Sequence, residues 1–188
     1  MLNVPYVSQI NEHACGAAAL EMVYRYYRSG AEDHFSQTAL FTEHAEFEPH
    51  GSGARRITTD NIVAAARKRE LFAGWGRVST DRVERLEQLR FFLLKEKVPL
   101  IACQQFSEGE PLLGHFRVLL AADENRAFLH DPHPKRGGPS LEWKMNKLTK
   151  FWRHSGQNVT GGVAIWIADR ALATPLHPNE PNKWAMGR

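Results

Sequence analysis

Apolar positions along this chain follow helical spacing in the first half and gather into short continuous runs in the second. Ala18, Met22 and Tyr26 recur at helical spacing beyond Cys15, as do Leu20, Val23, Tyr24 and Tyr27, until Gly30. That pattern predicts a largely buried helix with Cys15 and Gly16 in its first turn. Ser36 is placed to cap a second, more polar helix running toward Phe47, and Asp60 to cap a short third one with Ile62, Val63 and Ala66 on one face. Thr80 and Asp81 open a fourth, in which Val83, Leu86, Leu89 and Leu93 form the apolar stripe. Trp75, between Gly74 and Gly76, reads as a turn or the start of a short strand.

Strands are expected after Pro99, over 98–106, 114–122 and 126–131, with Asp123, Glu124 and Asn125 as the hairpin loop and Pro132 as the stop. A loop rich in Pro, Gly and basic residues then spans 132–140, a short helix 144–152 and a final strand 162–168. At the front, residues 3–9 contain Pro5 and read as an extended edge segment. The composition turns to Pro, Asn and Lys from Thr174, so one domain is expected over 1–172 and a tail over 173–188. Helices first and an antiparallel sheet afterwards make an α+β domain, with N-terminal helices packed on a C-terminal sheet.

A length of 188 residues suits one domain with a full core. With 43% hydrophobic and 24% charged residues, the composition excludes a disordered chain. The 24 Lys and Arg are interspersed with 21 Asp and Glu, and no basic block is dense enough to track a nucleic acid, so none is expected as a partner. No apolar run reaches the roughly 18 residues of a membrane span. The opening residues lack the charged and apolar regions of a signal peptide. Two cysteines make no disulfide framework, and a cytoplasmic location is expected.

Cys15 stands out chemically. At a helix start, unpaired N–H groups and the helix dipole favour a thiolate, and Gly16 permits close approach. Cys103, within an apolar strand, reads as core. A thiol nucleophile needs a base, and the base needs an orienting group. The chain has 9 histidines, of which His115 opens a predicted strand, while Asp131 ends the next one. With a three-residue loop, Ala122 pairs with Arg126 and Arg117 lies opposite Asp131. His115 and Asp131 are then diagonal neighbours on one face, roughly 7–8 Å apart between backbones. A two-residue loop would separate them. His130 points to the other face by alternation, and His133 follows Pro132. Gln9, six residues before Cys15, is placed to donate to an oxyanion beside the Cys15 backbone N–H. No Cys-x-x-Cys or His-Glu-x-x-His set accompanies the His130 to His133 stretch, and the Gly51 to Gly53 stretch has no P-loop lysine, so neither a metal nor another cofactor is expected. Trp143, Trp152, Trp166 and Trp184 read as core or tail anchors.

The string from Gln9 through Cys15 to Ala18 resembles the opening motif of the double-glycine leader peptidases, the papain-like domains of bacteriocin exporters. Gly114-His115-Phe116-Arg117-Val118 and His130-Asp131-Pro132 resemble that family's histidine and aspartate motifs, in the same chain order. The resemblance covers residues 3 to 168. It implies a papain-like cysteine peptidase fold, Cys15 as nucleophile, His115 as base, Asp131 as its orienter and Gln9 as the oxyanion glutamine. His13 and Ala14 stand where that family commonly has acidic or small polar residues, and the exporters' membrane and ATPase domains have no counterpart here. The expected activity is thiol hydrolysis of a peptide or amide substrate. Acyl transfer from the same thioester, and a peptide-binding module with little turnover, are the alternatives.

Overall fold

The computed structural model describes residues 1–28, 33–47, 53–153 and 161–172. The expected tail over 173–188, Trp184 and the helix stop at Gly30 lie outside the described residues. Helix α1 (Cys15–Tyr27) opens on an Ala-rich turn and is buried from Cys15 through Tyr24. Its far end is pinned by two tyrosines: Tyr24 donates to the Ala65 carbonyl at 3.1 Å and Tyr27 to that of Ile167 at 2.9 Å. Ser36 caps α2 (Gln37–His44) by accepting from the Ala39 N–H. This helix stops short of Phe47, which lies in a two-residue strand, β1 (Glu46–Phe47), paired with β2 (Arg55–Arg56).

Asp60 is not the cap of α3 (Thr59–Lys68). Thr58 takes that place, because its hydroxyl accepts the Asn61 N–H while the Asn61 carboxamide oxygen accepts the Thr58 N–H, a reciprocal pair. Asp60 instead accepts the indole N–H of Trp75 at 2.7 Å. Trp75 lies inside a strand, β3 (Phe72–Arg77), opposite Ile165, and not at a turn: a partner strand some ninety residues away overrides its flanking glycines. In α4 (Arg82–Arg90), capped by Asp81, Val83 is 65% exposed and does not belong to the apolar stripe. Two successive three-residue steps put it about 120° around the helix from Leu89. Burial passes instead to Phe91, Phe92 and Leu93 in the wider π-helical turn that follows over Phe91–Lys95.

The second half supplies β4 (Leu100–Ser107), β5 (Glu110–Ala122), β6 (Arg126–Asp131), β7 (Gly138–Lys144), α5 (Met145–Arg153) and β8 (Val163–Ala168). Six strands form one antiparallel sheet in the order β3-β8-β4-β5-β6-β7, so the architecture is α+β. The loop expected over 132–140 is shorter, since β7 begins at Gly138 and pairs with Asp131. Helix α1 packs on β5, α3 on β3 and β8, and α5 on β4. Gly16 allows the first of these contacts: a β-carbon there would stand 3.1 Å from the Phe116 ring.

The β5–β6 hairpin departs from its expected register. Ala122 pairs with Ala127, not Arg126, and the Asp123 N–H bonds the Arg126 carbonyl at 2.8 Å, leaving a two-residue turn. A bulge then intervenes, because Ala121 pairs with Phe128 but Leu119 with Leu129. Leu120 is the extra residue. Beyond it Val118 faces His130, which brings Arg117 beside Asp131. Among the described residues no helix is long and apolar enough to cross a membrane.

Candidate active site

Cys15 is the first residue of α1, and among the described residues no side chain caps that helix start. The backbone N–H groups of the first turn are therefore not claimed by a capping side chain. The His115 ring and the Phe116 N–H stand beside the sulfur and favour its charged form. Burial pushes the Cys15 thiol up, but the charge and hydrogen bond of His115, the Phe116 N–H and the Arg56 guanidinium outweigh it, and the thiol lies below its ordinary value.

His115 moves the opposite way. Burial and the nearby Arg117 charge press its pKa down, while the Cys15 charge and hydrogen bonds to Asp131 and Cys15 raise it further than that. The paired shifts favour thiolate and imidazolium together. Asp131 accepts from His115 Nε2 at 2.7 Å, leaving Nδ1 for the sulfur. Its Oδ1 also accepts the His133 N–H at 3.0 Å, and its Oδ2 accepts Arg117 Nε at 2.7 Å. Burial raises the Asp131 carboxyl, but these partners hold it well below the usual carboxylate range.

Arg117 carried no chemical assignment in the sequence, although the register already placed it opposite Asp131. It is buried, donates to the carbonyls of Gln105 at 3.0 Å and Phe106 at 2.9 Å, and stacks 4.9 Å from the Trp143 ring centre. The Asp131 charge is thereby compensated inside the protein.

The opening segment runs against this corner without joining the sheet. The Leu2 N–H bonds the Leu120 carbonyl at 3.0 Å, the Tyr6 hydroxyl the Asp131 carbonyl at 3.2 Å, and the Gln9 N–H the Pro132 carbonyl at 2.9 Å. His130 serves this docking: its Nδ1 accepts the Ser140 N–H at 2.9 Å, so Nε2 carries the proton and donates to the Val4 carbonyl at 2.8 Å. Gln9 is buried, with Nε2 donating to the Asn11 carbonyl at 2.7 Å and with no partner for Oε1 among the described residues. Gln37 grips the segment on either side of it, accepting the Ile10 N–H and donating to the Ser8 carbonyl. Nothing in the local pattern marked Gln37, because its partners lie 27 and 29 residues away.

A cavity of about 230 Å³ opens beside Cys15 and His115, lined among others by His13, Arg56, Phe106, Gly114, His133 and Arg136. Gln9 does not line it. The His133 ring packs 5.2 Å from Phe106, and its Nδ1 accepts the Lys135 and Arg136 N–H groups, which closes the turn after Pro132. Cys15 and His115 thus share the cavity wall with Asp131 hydrogen-bonded behind the ring, a chain of interacting groups, and Cys103 lies apart in β4. Such a chain can hold a nucleophile ionised and move a proton to or from a bound group.

The sequence matches the Peptidase_C39 like family over residues 1–160. No curated protein matches it. Among solved structures, a C39-like peptidase from Bacillus anthracis is similar with a TM-score of 0.64 at 14% identity, over 92% of this chain and 98% of that one. The peptidase domain of Streptococcus ComA, a bifunctional ABC transporter involved in quorum sensing, gives 0.60 at 19% identity, over 87% and 97%. A double glycine motif protease from an AMS/PCAT transporter, in complex with the leader peptide, gives 0.57 at 20% identity, over 89% and 92%. These likenesses establish the papain-like fold of the C39 peptidase domains.

Proposed function

The chain belongs to the Peptidase_C39 like family, and from that premise we propose that it is a cysteine peptidase whose nucleophile is Cys15, whose base is His115 and whose orienting group is Asp131. The observation that carries this reading is the convergence of Cys15 and His115 on one cavity wall, with the ring tied to Asp131 at 2.7 Å behind it, the thiol shifted down and the ring up. The Cys15 thiolate attacks the carbonyl carbon of a peptide or amide bond. The resulting oxyanion is held by the Cys15 backbone N–H, and the second donor we assign is the Gln9 carboxamide N–H that the Asn11 carbonyl does not take, turned toward the cavity when substrate binds. As the tetrahedral carbon collapses, the C–N bond breaks and the His115 imidazolium gives its proton to the departing amine. Neutral His115 next takes a proton from water, whose oxygen attacks the thioester and releases the acid and the thiolate. Throughout, Asp131 keeps Nε2 protonated and so turns Nδ1 toward the sulfur. Catalytic residues and cavity fall within residues 1–172, which we take as one catalytic unit with 173–188 as a tail.

Family membership supports a peptide as substrate, and one similar structure holds a leader peptide. The two cysteines make the test internal, since both are 6% exposed and access does not separate them. Iodoacetamide at pH 6 should alkylate Cys15 at least tenfold faster than Cys103, as read by peptide mass spectrometry. Cys15→Ser should abolish cleavage of any peptide that the native chain cuts. Equal alkylation of the two thiols in the folded protein would overturn the assignment.

A further inference from the structure

Helix α1 carries Cys15 at its start and, two turns on, a buried carboxylate, Glu21. Glu21 is held by Arg25 through Nε at 2.9 Å and a terminal nitrogen at 2.6 Å. Its other oxygen accepts the Gln37 backbone N–H at 2.6 Å. Gln37 is itself buried, and its carboxamide reaches back across the start of α2 to the chain on both sides of Gln9. Oε1 accepts the Ile10 N–H at 2.9 Å, and Nε2 donates to the Ser8 carbonyl at 2.8 Å. The Gln9 N–H is fixed from another direction by the Pro132 carbonyl, one residue beyond Asp131.

We infer that Gln37 is a positioning residue for Gln9, its carboxamide setting the backbone from which the oxyanion donor projects. This inference rests on the peptidase reading above. Glu21 carries the constraint back to α1, so one helix places the thiol at its start and, through Gln37, the donor that answers it. The chemistry of the contact limits the side chain to a carboxamide of this length. It must accept from one backbone group and donate to another within the same planar fork. A glutamate can only accept when ionised, a lysine can only donate, and an asparagine is one methylene shorter. An oxyanion donor displaced by a fraction of an ångström gives up much of its effect, because the hole acts through preset geometry.

Two reactions of Cys15 separate this role from general support of the fold. Alkylation by iodoacetamide forms an S–C bond and expels iodide without an oxyanion. Acylation by p-nitrophenyl acetate forms a tetrahedral oxyanion, then breaks the C–O bond, releases p-nitrophenolate and leaves an acetyl thioester on Cys15. Both are measured on the full chain, with Cys103→Ala as background. Gln9→Ala should slow acylation on the order of 10²-fold. Gln37→Met, which keeps the volume and loses both hydrogen bonds, should slow it at least tenfold. Gln37→Glu should do the same through loss of the donor. Alkylation and its pH profile should stay as in the parent for all three. The Gln9→Ala/Gln37→Met pair should be no slower than Gln9→Ala alone, because Gln37 acts through Gln9.

Parent-like acylation by folded Gln37→Met and Gln37→Glu would overturn the inference. So would an equal loss in both reactions, or multiplicative losses in the double variant. The peptidase reading fails separately, by equal reactivity of Cys15 and Cys103 in the native chain, which keeps both cysteines. Should Gln37→Met not fold, Gln37→Glu carries the same comparison.

Discussion

Gly137 lies against Asp131 so closely that a β-carbon on it would stand 2.6 Å from both the carboxyl carbon and the backbone oxygen of Asp131. The Gly137 N–H closes the turn by bonding the His133 carbonyl at 2.9 Å. The backbone of one residue thus forms the wall behind the carboxylate that holds His115. Gly137→Ala should push Asp131 off the imidazole, lower stability by about 1–3 kcal/mol and slow Cys15 alkylation near pH 6. Urea unfolding and the alkylation rate check this, and an unchanged rate would mean that Asp131 tolerates the shift.

Asp131→Asn removes the charge that supports the imidazolium. The His115 ring should fall in pKa and the Cys15 thiol rise, since each is stabilised in its charged form by the other. The acid limb of the alkylation profile should therefore move to higher pH. Arg117 is left as a buried charge without its carboxylate, at a cost of about 3–5 kcal/mol in stability. A limb that stays in place would show that the ion pair needs no support from Asp131.

Acid should weaken the fold through this same carboxylate. Asp131 is depressed in the native state, so the unfolded chain takes up its proton first as the pH falls. Its contribution is fully present above an unfolded value of about 3.9, and is lost as the pH drops toward the native value. Urea midpoints should decrease from pH 5 to pH 3, and less steeply in Asp131→Asn. Parallel slopes in the two proteins would assign the acid sensitivity to other carboxylates.

Arg117→Lys keeps a charge beside Asp131 but cannot span Asp131, Gln105 and Phe106 together. At least one buried carbonyl loses its donor, worth about 1–3 kcal/mol. Stability should fall by that amount while the acid limb of alkylation moves less than in Asp131→Asn. A shift as large as that of Asp131→Asn would make guanidinium geometry, and not its charge, the support of the carboxylate.

The helix that begins at Cys15 was readable because helical periodicity is set by residues within a few positions of one another. The same holds for Ser36 as a cap, for the start of the fourth helix at Thr80 and Asp81, and for an antiparallel sheet in the second half. Thr58 and Asp60 are both of residue types that cap helices, and only the reciprocal bond with Asn61 distinguishes them. The hairpin is more instructive. A three-residue loop and a two-residue turn followed by a bulge consume the same number of residues, so both bring Arg117 beside Asp131. Chain length sets that outcome. Where the extra residue goes is set by packing, which buries Leu120 within β5.

By itself, then, the sequence determined the main helices, most strands of the second half, the α+β order and the few residues whose chemistry suits a thiol mechanism. Tertiary structure alone decided that β8 enters between β3 and β4, that Arg117 neutralises Asp131, and that Glu21 and Gln37 fix the segment of Gln9. The division has a physical cause. Helical period, capping and turn chemistry arise from atoms a few bonds apart, whereas a buried charge or carboxamide finds its partner only after distant segments have packed and water has been excluded.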